Sequence, residues 1–363
     1  MRPLSKLIII LLLLLPVLAF ANDSKLSGKH TKEKKIERQF DVNKNALLHI
    51  DNRYGNVDIA TWNQNRIEIE VTIITNGNNE QEVQKRLDEI SVEFEATSSR
   101  VSAVTSIANQ RNNWTFWGSK SNNVNIKINY LVKMPVSNSL DIKNHYGAIS
   151  LNRLNGNATL SCNYGSFIIG ELNGDSNDLS FDYTNGATIG FVKNAIIDAD
   201  YSEYVINKAE NITYKGNYSR AELMEVLSNL DFNTSYGRLN VGKAKNVKGR
   251  SRYVTTAFGE ISHNLDLNAN YGKISVDLLE ETIKNVSIAA KYTSVDLTYD
   301  ARAAFDLSAQ LSYASLKTND DIDFSVRDIQ GNRSTYEGHH GKRNSGNSIQ
   351  VSSSYGGVKI QKQ

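Results

Sequence analysis

The sequence of 363 residues is poor in cysteine and proline, with one of the first and three of the second. Cys162 has no second cysteine to pair with, so an intrachain disulfide is excluded and packing and hydrogen bonds must hold the fold. Pro135 is the only proline after residue 21. Because proline removes a backbone donor from a sheet, its scarcity is typical of a chain that is strand almost throughout.

The first 21 residues have the pattern of a secretory signal peptide. Arg2 and Lys6 precede the apolar run Leu7 to Leu15, and Ala19-Phe20-Ala21 has the small-residue spacing of a cleavage site. The apolar run, about 14 residues, falls short of the ~20 that a spanning helix needs. The sequence therefore predicts export, to the periplasm or the cell surface of a bacterium, without a transmembrane span after cleavage.

The net charge is also small, +2 for the whole sequence. Removing residues 1–21 takes two of the 41 basic residues and none of the 39 acidic ones, so 39 of each remain. A neutral chain gives no electrostatic argument for nucleic acid or for an anionic membrane as a partner. We found no zinc spacing, phosphate-binding glycine loop or nucleophile elbow, so the sequence predicts no cofactor and no metal.

What the chain does contain is a tyrosine repeat. The first seven intervals are 17 to 19 residues, the next two are 21, and the last is 42, which is twice 21. The repeated residues are Tyr146, Tyr164, Tyr183, Tyr201, Tyr218, Tyr236, Tyr253, Tyr271, Tyr292, Tyr313 and Tyr355. A fixed period of this length is typical of a solenoid and is too short for a propeller blade.

Apolar residues alternate on both sides of each tyrosine. Around Tyr146 they are Leu140 and Ile142 before it and Ile149 and Leu151 after it, and the other repeats match. Two short strands per repeat, each stacked on the equivalent strand of the next repeat, predict an all-β fold, a parallel β-solenoid. Because crossovers between parallel strands are usually right-handed, we expect a right-handed solenoid. Each rung, meaning one turn of the solenoid, has about 18–21 residues.

Strand alternation also makes a prediction about the tyrosines. Positions six, four and two residues before each tyrosine share its face, so we expect the rings to point into the core as a structural ladder. Gly147, Gly165 and their equivalents follow the tyrosine, where positive φ would suit a corner. A second corner is rich in asparagine, as at Asn194 and Asn211.

Before this repeat lie segments of different character. Residues 22–39 are rich in lysine and predict a polar linker, whereas residues 40–61 fit the rung template with Tyr54 in the tyrosine position. Residues 62–135 predict a cap insertion of antiparallel strands plus one amphipathic helix over 79–90, which would cover the open first rung. The solenoid itself is predicted over 136–363.

A family resemblance rests on these residues. The strand Tyr54-Gly-Asn-Val-Asp-Ile59, the insertion, and then Met134-Pro135-Val136 leading into the rung of Tyr146 resemble the bacterial putative-adhesin, β-strand-repeat domains of unknown function. The resemblance covers most of the chain after residue 21. It implies an exported β-solenoid envelope protein and brings no catalytic motif with it.

Two carboxylates are the first candidate site. Asp182 and Asp200 each precede a tyrosine in successive rungs, with Asp178 and Asp198 close by. Carboxylates one rung apart could bind a cation or act as an acid–base pair, as in enzymes built on β-helices. The alternative is a solvated acidic patch in a polar column.

Two further groups of residues are candidate sites. Trp114, Phe116 and Trp117 lie in a polar stretch and could contact a glycan or protein partner, or fold back on the cap. Glu337, His339 and His340 form a small cluster in a glycine-rich segment. Because a metal needs three or four converging ligands, a flexible polar loop is the preferred interpretation there.

The sequence thus favours a non-enzymatic exported envelope or surface protein, an adhesin-like scaffold for protein or glycan interaction. A periplasmic scaffold linked to envelope stress is the alternative, and a carbohydrate-active β-helix enzyme using the Asp182 region is a weaker one.

Overall fold

The computed structural model describes residues 26–108 and 124–363. The signal peptide predicted over 1–21 lies outside the described residues. The one helix among them, α1, is Glu80–Asp88. The strands are β1 His30–Asp41, β2 Leu47–Arg53, β3 Val57–Trp62, β4 Arg66–Gly77, β5 Ile90–Thr97, β6 Arg100–Ile107, β7 Asn125–Pro135, β8 Ser139–His145, β9 Ala148–Leu154, β10 Ala158–Asn163, β11 Ser166–Leu172, β12 Asn177–Asp182, β13 Asn185–Asp200, β14 Glu203–Asn217, β15 Arg220–Leu279, β16 Asn285–Tyr299, β17 Phe305–Ser312, β18 Leu316–Thr318, β19 Asp323–Gln330, β20 Arg333–His340, β21 Ser348–Ser354 and β22 Val358–Lys362.

The predicted all-β solenoid is confirmed. Strands of successive rungs pair in parallel, as β8 with β10 and β10 with β12, and β9 with β11. In β13 to β16 the strands run through corners, and β15 passes through several rungs without a break. Near absence of proline makes such long uninterrupted hydrogen bonding feasible.

Apolar columns fill the interior along the whole solenoid. Ile142, Leu160, Leu179 and Ile197 occupy equivalent positions in four successive rungs, and all are buried. Period-two alternation places their strand neighbours outside, as the sequence pattern predicts. The hydrophobic core is therefore a continuous column parallel to the solenoid axis, which no single rung could bury alone.

Bulky rings in the core need small residues beside them. A Cβ on Gly216 would lie 2.0 Å from the Tyr214 hydroxyl, so this inward position accepts glycine because the tyrosine ring fills the space. Cys162 occupies an equivalent inward position, and its thiol donates to the carbonyl of Gly147 at 3.3 Å. Burial raises the pKa of this thiol to about 11, so it remains protonated at neutral pH.

The N-terminal part caps the first rung. β6 pairs in parallel with β2, and β7 pairs in parallel with β3, so the insertion supplies a pseudo-rung in front of Tyr54. Helix α1 confirms the helix predicted over 79–90: Asn79 caps it by accepting from the backbone of Gln81 and Glu82, and Val83 and Leu87 are buried.

The polar linker predicted over residues 22–39 is wrong from His30 onward. β1 pairs antiparallel with β4 over its whole length, which extends the capping sheet. Ile36 and Phe40 pack against the core, while Lys34 and Lys35 before Ile36 and the residues between the two apolar side chains are exposed. Charged side chains on an edge strand discourage pairing with other chains, which explains a lysine-rich strand in this place.

The order of the last rungs also differs from the sequence order. β21 lies between β16 and β17, and β22 lies between β16 and β18. The interval of 42 residues is therefore not a skipped rung. It contains the antiparallel hairpin β19–β20, whose second strand pairs with β17 and closes this end of the solenoid. Among the described residues, no helix has the length and apolar character to cross a membrane.

Candidate functional site

The twelve repeated tyrosines share one backbone conformation that is rare for this residue. From Tyr54 to Tyr355 their φ angles lie between 50° and 64°, in the left-handed region. One left-handed residue interrupts the alternation of a strand, so the ring points outward and the following residue points inward. Eleven of the twelve rings are 41–56% exposed, and Tyr54 is half-buried. The prediction that the rings point into the core is wrong.

The glycine after the tyrosine serves a different purpose from the one predicted. Gly147 and Gly356 do not have positive φ, since the tyrosine itself takes the left-handed conformation. A Cβ on Gly147 would lie 2.0 Å from the carbonyl oxygen of Gly55 in the rung before it. These glycines are needed because the corner backbones of neighbouring rungs approach closely.

Where serine or threonine follows the tyrosine, its hydroxyl bonds to the corner. The buried hydroxyl of Ser202 donates to the carbonyl of Phe181 at 3.1 Å or of Asp200 at 2.8 Å, and it accepts from the backbone N–H of Thr184 at 3.1 Å. Corners with glycine and corners with serine or threonine thus both leave no unfilled space between rungs. Glycine lets the neighbouring backbones approach closely, and serine or threonine fills the space with a side chain whose hydroxyl is hydrogen-bonded.

The outward rings form one continuous stack, here called the tyrosine stripe. Neighbouring centroids are 4.8–5.3 Å apart and the ring planes lie within 14° of each other. Its spatial order is Tyr54, Tyr146, Tyr164, Tyr183, Tyr201, Tyr218, Tyr236, Tyr253, Tyr271, Tyr292, Tyr355 and Tyr313. Inner rings have a neighbour against both faces, so the stripe presents ring edges and hydroxyls to solvent.

Replacing Tyr218 separates the contributions of stacking and backbone strain. Tyr218→Ala loses two stacking contacts of about 0.5–1.5 kcal/mol each and keeps a strained left-handed residue. Tyr218→Asn loses the same contacts but tolerates the backbone, so we expect it to be about 1 kcal/mol more stable than the alanine variant. Urea denaturation measures both, with Tyr218→Phe as the ring-retaining control. Equal stability of the alanine and asparagine variants would contradict the strain argument.

Asparagine side chains line the second corner in a column of their own. The Nδ2 of Asn211 donates to Oδ1 of Asn194 at 2.9 Å, and Asn229 and Asn264 continue the pattern in later rungs at 2.7 and 2.8 Å. The asparagine-rich corner expected from the sequence is therefore present, and amide-to-amide bonds link one rung to the next.

The predicted carboxylate pair lies side by side. Asp182 and Asp200 are direct partners in the pairing of β12 with β13, whereas Asp178 lies opposite Ile196, four residues along the strand. Oδ1 of Asp200 accepts from the backbone and side-chain nitrogens of Asn217 at 3.0 and 2.9 Å. Burial, and then the charges of Asp200 and Asp198, raise the pKa of Asp182.

No group of three or more histidine, cysteine, aspartate or glutamate side chains that could hold a metal ion occurs in residues 26–108 and 124–363. The cation-binding and acid–base interpretations of Asp182 and Asp200 stay predictions. A shift of the melting temperature on calcium titration is the measurement that tests the first of them.

Because the pKa of Asp182 is raised, removing its charge should increase the stability of the fold by an amount that depends on pH. The folded state favours the protonated acid, so ionised Asp182 lowers stability as pH rises above its ordinary value of 3.8. Asp182→Asn should therefore raise the melting temperature at pH 7, and the gain should vanish well below pH 3.8, where the native carboxyl is protonated in both states. Asp178→Asn, at an exposed position of the same strand, is the control. A gain that is constant with pH would contradict this assignment.

The histidine cluster is not the flexible loop that the sequence suggested. Residues 337, 339 and 340 belong to β20, and His340 is buried. Its Nδ1 lies 2.6 Å from the carbonyl oxygen of Ala303, and its ring packs on Tyr299 and Phe305 with centroids 4.9 and 5.6 Å away. His340 therefore packs the closing hairpin onto the last rungs. Trp114, Phe116 and Trp117 lie outside the described residues.

Comparisons with known proteins found no matching family model and no matching curated protein. Solved structures that resemble the chain include three bacterial proteins. One is a putative cell adhesion protein from Clostridium sporogenes, 10% identical, covering 92% of this chain and 100% of that one with a TM-score of 0.19. A putative adhesin from Bacteroides fragilis is 10% identical and covers 91% of this chain and 97% of that one, with a TM-score of 0.28. A putative adhesin from Parabacteroides distasonis is 13% identical and covers 73% of this chain and 93% of that one, with a TM-score of 0.30.

The names of these structures agree with the family that the sequence resembles. A shared fold does not determine function, so the exposed surface of this chain decides what it can bind.

Proposed function

We propose that this protein is an exported, non-enzymatic envelope protein of the adhesin-like kind, a rigid rod that binds a partner through its tyrosine stripe. The observation that supports this most directly is the stripe itself: eleven rings that are each 41–56% exposed stand in one unbroken row. Large contiguous apolar patches on soluble proteins are typical of interaction surfaces.

The size of the stripe is sufficient for a specific interface. Twelve rungs at about 4.8 Å each make a row roughly 50 Å long. Tyrosine side chains carry about 150–250 Å² each, so half-exposed rings together offer on the order of 1,000 Å². A standard interface uses about 800 Å² per partner, and tyrosine is among the residues that contribute most to binding energy.

The rod is also rigid before it binds. Each ring is held by its neighbours in the stack, and each corner is held by backbone bonds such as that from the N–H of Tyr218 to the carbonyl of Ser235. Ordering of loose side chains costs about 0.5–1.5 kcal/mol per residue on association, and a preorganised row avoids most of this cost. Covered ring faces favour a flat partner surface over sugar rings stacked along the stripe.

Charges beside the stripe change sign along its length. The position before each tyrosine holds Arg53 near one end, Asp182 and Asp200 in the middle, and Arg252 and Lys291 farther on. Such a pattern supports selection of one partner orientation, because complementary charges fix register more than they add affinity.

Protease shaving of intact cells, read with an antibody to the solenoid, tests where the rod is displayed. Cleavage on whole cells is expected. Protection until the outer membrane is opened would contradict surface display and favour the periplasmic scaffold.

Site-specific photo-crosslinking tests the stripe itself. A photoreactive residue in place of Tyr218 should give a discrete adduct on living cells, while one in place of exposed Met224 should not. The triple variant Tyr201→Asn, Tyr218→Asn, Tyr236→Asn should lose partner binding, and the matched variant Ile196→Asn, Met224→Asn, Leu227→Asn, which removes exposed apolar surface elsewhere, should keep it. The reverse result would assign binding to another face.

A further inference from the structure

The stripe ends at Tyr313, and this end differs from the middle. Tyr313 stacks on Tyr355 with centroids 4.9 Å apart, and no other aromatic ring of the described residues contacts it. It is 56% exposed, the largest value in the stripe, whereas Tyr54 at the opposite end is half-buried. One face of Tyr313 is therefore free of the stacking that covers the inner rings.

A groove of about 580 Å³ lies beside this ring. Among its lining residues are Tyr313, Ser315, Ile329, Asn332, Arg333 and Ser334. The turn between β19 and β20 forms one wall, held by the bond from the backbone N–H of Tyr313 to the carbonyl of Asn332 at 2.7 Å. Gly331, in this turn, has a φ of 57°, and no atom lies within 4 Å of a Cβ placed there, so the wall is open on that side. A volume of this size is typical of small-molecule sites.

The chemistry of the groove selects a ring-shaped anion. Arg333 is the only charged residue that lines it, and this guanidinium has no carboxylate partner within the described residues. Ser315, Asn332 and Ser334 supply hydroxyl and amide groups, and the face of Tyr313 supplies a flat apolar platform. Guanidinium groups bind carboxylates through paired hydrogen bonds, and aromatic faces pack on the apolar side of a ring.

We propose that the groove at Tyr313 and Arg333 is a binding site for an acidic sugar, a pyranose ring bearing a carboxylate as in uronic acids. The ring lies on the free face of Tyr313, the carboxylate faces Arg333, and the sugar hydroxyls bond to Ser315, Asn332 and Ser334. This inference deepens the proposed function by assigning a glycan class to one end of the rod. The inner rings of the stripe cannot serve in this way because both their faces contact neighbouring tyrosines.

The test is saturation-transfer NMR titration of the full mature chain with methyl glucuronide and with methyl glucoside, which replaces the carboxylate by a hydroxymethyl group. A ligand of this size is expected to bind with a Kd in the millimolar range, about 4 kcal/mol. The glucuronide should bind at least about fivefold more tightly than the glucoside, in keeping with about 1 kcal/mol from one exposed charge-assisted contact.

Variants distinguish this site from binding elsewhere. Tyr313→Asn removes the ring and keeps a residue that tolerates the left-handed backbone, so it should abolish binding. Arg333→Gln should remove the preference for glucuronide, whereas Met224→Asn, at an exposed position outside the stripe, should bind as the native chain does. Thermal melts establish that each variant is folded.

Three results would overturn the proposal: no saturable binding of glucuronide, unchanged binding in Tyr313→Asn, or tighter binding of benzoate, which would assign the groove to aromatic carboxylates. The crosslinking from Tyr218 is independent of this groove. If glucuronide does not bind but a photoreactive residue at position 218 gives an adduct, the proposed function stands and only the groove is excluded as a site. If glucuronide binds but position 218 gives no adduct, only the stripe is excluded as the binding face.

Discussion

Replacing Ile274 by aspartate is expected to abolish cooperative folding of the rungs that contain it. Ile274 is fully buried and pairs with Val295, which is fully buried as well. The variant loses about 1.5–3 kcal/mol of apolar burial and places a carboxylate where no charged partner is available, which costs several kcal/mol more. The sum, about 5 kcal/mol or more, approaches the whole stability of an ordinary domain.

Circular dichroism and urea denaturation measure the loss, and hydrogen exchange locates it. Because each rung contacts only its neighbours, exchange should rise first in the rungs next to Tyr271 and Tyr292. Ile168→Asp is the matched control: Ile168 is 54% exposed and lies between Ser150 and Thr188 on an outer face. It should change stability by about 0.5 kcal/mol or less. Equal losses in the two variants would contradict the assignment of inner and outer faces.

The buried columns could be predicted because alternation within a strand is a local property of the sequence. Leu140 and Ile142 before Tyr146, and Ile149 and Leu151 after it, are all buried as their spacing predicts. The same columns recur in every rung, so the pattern determines the solenoid and its two faces. Helix α1 was predictable for the same reason, from Val83 and Leu87.

The direction of the tyrosines could not be derived from alternation, because one left-handed residue reverses it. Period-two reasoning assumes an extended backbone, and Tyr146 with a φ of 63° violates that assumption. The sequence does contain one indication of the irregular residue. Buried positions lie at even distances before each tyrosine and at odd distances after it, so the alternation must be interrupted at the tyrosine or at the residue next to it. Glycine at the next position drew the inference to the wrong residue, since glycine is the usual left-handed residue.

The order of the last rungs, and with it the groove at Tyr313, also depended on tertiary structure. The strand on either side of Tyr355 fits the rung template as well as that around Tyr313, so the sequence could not indicate that the later rung lies between two earlier ones. The Gly331 turn that leaves the groove open belongs to an antiparallel hairpin outside the repeat. Nonlocal strand order of this kind has no signature in local spacing.

Gly356→Ala is expected to destabilise the solenoid strongly although it adds a single methyl group. A Cβ at this position would lie 2.0 Å from the carbonyl oxygen of Thr293 and 2.7 Å from its carbon, both in the rigid backbone of the neighbouring rung. The two rungs must separate at the corner, which strains the parallel pairing of Val295 with Val358 just beyond it. Overpacking against backbone costs about 3 kcal/mol.

Gly357→Ala provides the matched control, because the next residue along the chain meets no atom within 4 Å of an added Cβ and its φ is not positive. It should leave stability unchanged or raise it by up to about 1 kcal/mol, since alanine restricts the unfolded chain. Gly356→Ser should lose less than Gly356→Ala if its hydroxyl reproduces the bonds that Ser202 makes to the carbonyls of Phe181 and Asp200. The urea midpoints of Gly356→Ala, Gly356→Ser and Gly357→Ala measure these differences in stability. Equal effects at positions 356 and 357 would show that close approach of corner backbones is not what requires glycine after the tyrosine.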